Sequence, residues 1–317
     1  MEGSRNSRRQ FIRKAGALVA FGSVASLPNN VLAGKKQTKI TILHTNDWHS
    51  RIEPFPAGSG NMTGRGGVAI RSALINKIRE EEEHVLLLDA GDVFQGTPYF
   101  NFFNGELEYK LMSKMGYDAM TLGNHDFDNG IKGILSQLNH ANFDILNCNY
   151  DFGTTELSKQ VQRYKIINKG GIRIGLLGVG IDLKGYVADD NYKGIQYRDP
   201  IQSANEIAAE LKQKHQCHLV ICLSHIGYEY DNDKVSDIRL AEASEHIDVI
   251  IGGHTHTFLD KPRLVQNKAG KTVIINQVGW AGVLLGRMDF TFSATAKSDR
   301  FSMTYGAIDI APESLVG

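Results

Sequence analysis

Short apolar runs rich in β-branched residues recur along the chain. They are "KITILHT" (39–45), "HVLLLDAGD" (84–92), "DAMTLGNHD" (118–126), "FDILNCN" (143–149), "IRIGLLGVG" (172–180), "HLVICLSH" (218–225) and "DVIIGGHTH" (248–256). Continuous apolar runs of this length read as strands buried on both faces. Between several of them lie amphipathic helical patterns: "GGVAIRSALINKIREEEE" (66–83), "GELEYKLMSKMG" (105–116) and "DPIQSANEIAAELKQKH" (199–215). Strands of this kind alternating with such helices predict a largely parallel sheet covered by helices. From residue 272 the pattern changes. "TVIINQVGW", "VLLGRMDFTF" and "RFSMTYGAIDI" follow with short turns and no helices, which predicts a second, more antiparallel sheet.

Ligands of open parallel sheets bind beyond the carboxyl ends of the strands. Five of the runs end there in metal-capable side chains: Asp47 and His49, then Asp92, then Asn124 and His125, then His225, then His254 and His256. Any one of these is most simply a hydrogen-bonded surface group, but the fold would bring all five ends to one edge. Imidazoles and carboxylates without thiolates suit Zn, Mn, Fe, Ni or Co and not a structural zinc cage. Eight such side chains are too many for one ion. They suit two ions about 3.5–4 Å apart that share a carboxylate, clamp a tetrahedral anion and make an in-line hydroxide available at neutral pH. Gly91, Gly123, Gly252 and Gly253 let the backbone turn sharply beside such a centre.

Composition narrows the reading. The 317 residues are 42% hydrophobic and 22% charged with zero formal net charge, an ordinary globular balance. Without residues 1–33 the balance becomes 30 basic against 34 acidic, so no electrostatic footprint for a nucleic-acid polymer is present. Residues 1–33 read as an export signal. Arg8-Arg9 precede an apolar stretch from Ala15 to Leu27, and "VLA" ends at Ala33 with small residues spaced for cleavage. The paired arginines suggest the twin-arginine route to the periplasm, which carries folded, metal-loaded proteins. An uncleaved membrane anchor is the alternative. Cys148, Cys217 and Cys222 have no framework spacing, so neither a disulfide scaffold nor a thiolate site is expected.

The motifs "DWH", "GD", "GNHD", "SH" and "GHTH", in this order, resemble the calcineurin-like metallophosphoesterases. "HTNDWHSRIEPF", "DAGDVFQGTPYFNFFNGE", "TLGNHDFDNG" and "NQVGWAGVLLGRMDF" resemble, more narrowly, the 5′-nucleotidase branch, which includes UDP-sugar hydrolases and 2′,3′-cyclic nucleotide phosphodiesterases. The resemblance implies an α/β fold, a four-layer α/β/β/α sandwich of two mixed sheets, and a phosphoesterase acting on phosphate esters, nucleotides first. It also implies the roles. Asp47, His49 and His256 hold one divalent ion (Zn, Mn, Fe or Co), Asn124, His225 and His254 hold a second, and Asp92 bridges them. His125 is the catalytic histidine and Asp128 orients it. Asn124 and His125 also meet the substrate, and Asp126 reads as structural.

The branch usually carries a C-terminal domain that grips the nucleoside. The reading here is an export signal over 1–33 and a metallophosphoesterase catalytic domain over 34–317. A separate polypeptide resembling that second domain is expected to complete the substrate site. Ser50 stands where the branch generally has glycine, and only a small local change is expected from it. His44 is expected to be packed or hydrogen-bonded, and the aromatics of 94–103 to serve packing. Asn61, Arg65 and Gly66–Gly67 offer a weak phosphate-binding pattern at a helix start. The alternatives are a non-catalytic scaffold on the same fold and a sulfur-ester hydrolase of the thiosulfohydrolase type. Loss of a ligand would favour the scaffold, and none is missing.

Overall fold

The apolar runs bury both faces because each belongs to a sheet that is covered on two sides. The computed structural model describes residues 37–293 and 301–315, together with the two-residue strand Val19–Ala20. Two large mixed sheets lie face to face with helices outside each, the four-layer α/β/β/α sandwich. In the first sheet, Gln37–Thr45, Val85–Asp89, Ala119–Thr121, Asp144–Leu146 and Val161–Gln162 run parallel in that order. In the second, Ile172–Gly180, Leu219–His225, Val249–Gly252 and Thr272–Asn276 run parallel. Antiparallel edges, Tyr164–Lys169 and Arg263–Gln266, close the second sheet.

Side-chain alternation, invisible in an all-apolar run, sorts each strand between two layers. Ile40, Ile42, Leu86 and Leu88 point inward and meet Leu219, Ile221, Leu223 and Ile251 of the other sheet. Leu43 and Leu87, one residue out of phase, pack with Leu74, Ile75 and Ile78 of helix Val68–Glu81. Val220 and Cys222 pack outward with Ala204, Ile207 and Leu211. Burying each large aliphatic side chain contributes about 1.5–3 kcal/mol, and a one-residue slip of register would exchange the two layers.

The expected helices are present as Val68–Glu81, Glu106–Met115 and Pro200–Ala209, the last continued by a π turn over Glu210–Lys214. Asp199 caps the last helix by accepting from Gln202 N at 2.9 Å, with Pro200 at its first position. Gly116, at φ 72°, ends the helix Glu106–Met115 in the left-handed region. The short helices Pro98–Phe103, Gly130–Gln137 and Asp237–Glu242 were not among the expected elements.

The C-terminal strands depart from expectation, because they form no sheet of their own. Thr272–Asn276 joins the second sheet, while Leu284–Ser293 and Phe301–Asp309 extend the first, with Gly286 opposite His44. Their half-buried alternation suits any sheet flank. The strand Gln37–Thr45 would otherwise present an unpaired edge, and Leu284–Ser293 covers it. The proposed export segment lies outside the described residues apart from 19–20. No helix among the described residues is long and apolar enough to cross a membrane. All three cysteines are buried and free.

Candidate metal centre

The carboxyl ends of five parallel strands, three from one sheet and two from the other, converge on one edge of the sandwich. The turns that follow them are tight. Asp47, His49, Asp92, His254 and His256 all have left-handed backbones, with φ of 49°, 51°, 56°, 71° and 52°. Non-glycine residues adopt this region uncommonly, and such strain collects at functional sites, at about 1–3 kcal/mol each. The neighbouring glycines permit the close approach. A Cβ on Gly123 would lie 2.1 Å from Asp92 Oδ1, and one on Gly253 would lie 2.9 Å from His225 Nδ1.

All seven predicted ligands come together, in two groups. In the first, Asp47, His49 and His256 offer donor atoms within 4.8 Å of one another. His49 Nε2 and His256 Nε2 are 2.9 Å apart, and Asp47 Oδ1 is 3.3 Å from His256 Nε2. In the second, Asp92, His225 and His254 are gathered equally closely, and Asn124 Oδ1 lies 2.8 Å from His254 Nδ1. Asp92 reaches both groups: its Oδ2 is 3.0 Å from His225 Nε2 and 3.9 Å from His49 Nε2. The donor set fits divalent ions on two counts. Imidazole and carboxylate donors converge with no thiolate among them. The His225 Nε2 atom is fully buried 3.0 Å from Asp92 Oδ2 yet makes no aligned hydrogen bond, an unsatisfied position that a cation between them would occupy.

Neighbours fix each ligand. His225 Nδ1 donates to Ala90 O at 2.7 Å, which leaves Nε2 toward the centre. Asp47 accepts from His254 N at 3.0 Å and from Asn46 Nδ2 at 2.6 Å. Asp92 Oδ1 accepts from His125 N at 2.8 Å. Burial pushes the His254 imidazole down to about 3, so it is neutral at physiological pH. Burial raises the Asp92 carboxyl, but His225 and His49 more than offset this and hold it below the usual carboxylate range.

His125 stands beside the first group, its ring 5.4 Å from that of His49. Its Nδ1 is 2.9 Å from Asp128 Oδ2, and this hydrogen bond raises the imidazole above its ordinary value. Asn191 Nδ2 in turn donates to Asp128 O at 2.8 Å. Asp126 has a different task, as the sequence suggested. Its carboxylate accepts from the backbone N–H of Asp92, Val93, Phe94 and Gly123, and so shapes the turn that carries Asp92.

Several supporting residues escaped the sequence reading. Asn46 ties Asp47 to Gly279 O at 2.6 Å. Gln277 Nε2 donates to Gly253 O at 2.7 Å, bracing the turn before His254. The Trp280 ring stacks on His256 at 5.6 Å and 9°, and Tyr186 meets His254 edge-on at 5.2 Å. Asn46 sits within the "TNDWH" motif, which was its only signal.

Other expectations need correction. Ser50 has φ 53°, the conformation that favours glycine, and its hydroxyl donates to the buried Glu108. Phe94 and Phe100 are packed as expected, but Phe102 and Phe103 are exposed. Arg65 pairs with Asp309 at 2.7 Å and Gly67 abuts Pro54, which gives that helix start a structural role. His44 is buried and 2.9 Å from Asn276 Nδ2, as expected.

Known proteins are similar to this chain in sequence and fold. The calcineurin-like phosphoesterase family profile matches residues 40–258. A snake venom 5′-nucleotidase from Crotalus adamanteus is 37% identical over 274 residues, 80% of this chain and 45% of that protein. A 5′-nucleotidase from Vibrio cholerae is 33% identical over 306 residues, 89% of this chain and 54% of that one. The crystal structure of a 5′-nucleotidase precursor from Thermus thermophilus superposes with a TM-score of 0.77 at 32% identity, covering 87% of this chain and 55% of the other. The chain thus spans about half the length of these relatives.

Proposed function

The chain belongs to the calcineurin-like phosphoesterase family, and from that premise we propose that it hydrolyses phosphate monoesters, nucleotides first, at the centre described above. One observation carries the reading: two complete donor groups lie side by side, with Asp92 within reach of both. Asp47, His49 and His256 would hold one ion, Asn124, His225 and His254 the other, and Asp92 would be shared. Two divalent ions, when bound, supply charge that neutralises phosphate oxygens and lower the pKa of a coordinated water.

The chain's own groups do the rest. Asn124 and His125 position the phosphate at the edge of the centre. His125, held through Nδ1 by Asp128, presents Nε2 to the leaving ester oxygen and gives it a proton. Asp128 raises the imidazole above its ordinary value, which favours the protonated form. The test combines elemental analysis with phosphate release from nucleoside monophosphates after supplementation with Mn, Zn or Co. Two ions per chain and turnover are expected. His125→Ala should keep both ions and lose about 10²–10⁴ in rate, less for substrates with good leaving groups. A wild-type stoichiometry of one ion or fewer would refute the dinuclear reading.

The protein works outside the cytoplasm, on this proposal, and Arg8-Arg9 ahead of the apolar stretch 15–27 support export by the twin-arginine route. Replacing both arginines by lysine should leave the precursor in the cytoplasmic fraction. Normal export of that variant would contradict the route.

A further inference from the structure

Beside the second donor group lies a groove of about 380 Å³, within the range of small-molecule sites. It shares a wall with the metal centre, because Tyr186 lines it and its ring also meets that of His254 at 5.2 Å. Tyr197 is the second aromatic of the groove. The two tyrosines are 46% and 39% exposed. Two large aromatics left open in one concavity are a feature that packing does not require.

The groove is held in shape in advance. Lys234 donates to the Tyr186 hydroxyl, and its ammonium lies 4.8 Å from the centre of that ring and 4.4 Å from the centre of the Tyr230 ring. Tyr186 N bonds Leu183 O at 3.1 Å. Tyr197 is fixed by the strand pairing of Gln196–Tyr197 with Tyr150–Asp151, and its ring leans on Tyr150. Burial pushes the Tyr197 phenol up to about 12, so it stays neutral. Ile226 and Val235 give the groove an apolar floor, and Asp182 and Lys184 offer an acceptor and a donor at the rim.

Aromatic walls, an aliphatic floor and a few polar rim groups suit a flat heteroaromatic ring better than a compact anion. We propose that this groove seats the base of a nucleotide whose phosphate lies at the metal centre, so that the catalytic sandwich itself contributes to base recognition through Tyr186 and Tyr197. This rests on the phosphoesterase reading and specifies its substrate class.

The test compares adenosine 5′-monophosphate with ribose 5-phosphate, which offers the same ester without a base. In metal-loaded protein, Tyr197→Leu should lower kcat/KM for the nucleotide about tenfold, through KM, as for loss of one stacked ring. Ribose 5-phosphate should change less than about twofold, and Tyr197→Phe, which keeps the ring, should behave as wild type. Metal content and circular dichroism matching the wild type would establish that the leucine variant is folded. Equal losses for both substrates, or none, would overturn the proposal. So would a silent Tyr197→Leu paired with a Lys184→Met defect confined to nucleoside diphosphates, which would assign the groove to an anion. If wild type releases phosphate from neither compound, the phosphoesterase reading fails. The seat is then read from calorimetric binding of the same two probes, where equal affinities would overturn it.

Discussion

His225, in the second donor group, has none of its side chain exposed, while His256, across Asp92 in the first, has 40% in solvent. His225 ends a strand at the centre of its sheet and is held through Ala90 O. His256 stands on a left-handed turn after the neighbouring strand and leans on the half-exposed Trp280. Depth therefore separates these two imidazoles, although each group holds two buried donors and one half-buried one. A deep donor also belongs to the core, so removing it disturbs packing and charge together. A shallow donor can be removed with little effect on the fold.

Asp92→Ala would erase the contrast, because it removes the carboxylate that lies 3.0 Å from His225 and 3.9 Å from His49 and is read as shared. Both ions should be lost and the rate should fall by at least about 10²–10³, measured by elemental analysis and phosphate release. Retention of two ions would show that Asp92 is not shared. The contrast sharpens with paired substitutions. His225→Ala should destabilise the metal-free chain by about 3–5 kcal/mol in urea melts, because Asp92 is left buried without its partner. His256→Ala should lose one ion but keep its melting curve. Equal destabilisation by the two would remove the basis of the comparison. A smaller effect is expected from Trp280→Leu. With the stacked ring gone, affinity at the first group should fall about tenfold while the second is unchanged, read by competition with a chelator.

The smallest effect concerns Asp237, which lies behind the second group. Burial raises its carboxyl to about 8; Ser224 donates to one oxygen, and the other has no hydrogen-bond partner. A folded value above the unfolded one means that stability is fully present below pH ~4 and is lost as pH rises through about 8. Asp237→Asn should flatten that decline, seen as a higher urea midpoint than wild type at pH 9 and little difference at pH 5. An unchanged slope would show that Asp237 does not titrate there.

The strands and the convergence of their polar carboxyl ends were legible because parallel strands carry their chemistry at one end and the apolar runs mark that end. The four-layer stacking was legible only through resemblance, since Ile42 and Leu43 read alike until a second sheet distinguishes their faces. The placement of Leu284–Ser293 was not legible, because its alternation fits either sheet. Gln277 and Trp280 lie within the motif "NQVGWAGVLLGRMDF", but that motif does not reveal the remote turn they brace, and nothing around Tyr186 records its contact with His254. Ser50 shows a different limit. The glycine usual at its position was a sign of the left-handed backbone, but nothing in the sequence pointed to Glu108 beneath it.

The pairing of Leu284–Ser293 with Gln37–Thr45 also sets the order of events during synthesis. Thr41 bonds Asp289 across 248 residues, and Ala281 N bonds the carbonyl of Asp47 at 2.7 Å. At 5–20 residues per second the ribosome needs roughly 12–50 s to deliver the partner of the first strand. During that interval the nascent first sheet has an open edge, a surface that invites pairing with other chains. Contacts of such separation also slow folding once the chain is released. The turn bearing Asp47 and His49 is thus made first and secured last, and a chaperone that shields Gln37–Thr45 would act where this topology is most exposed to misassembly.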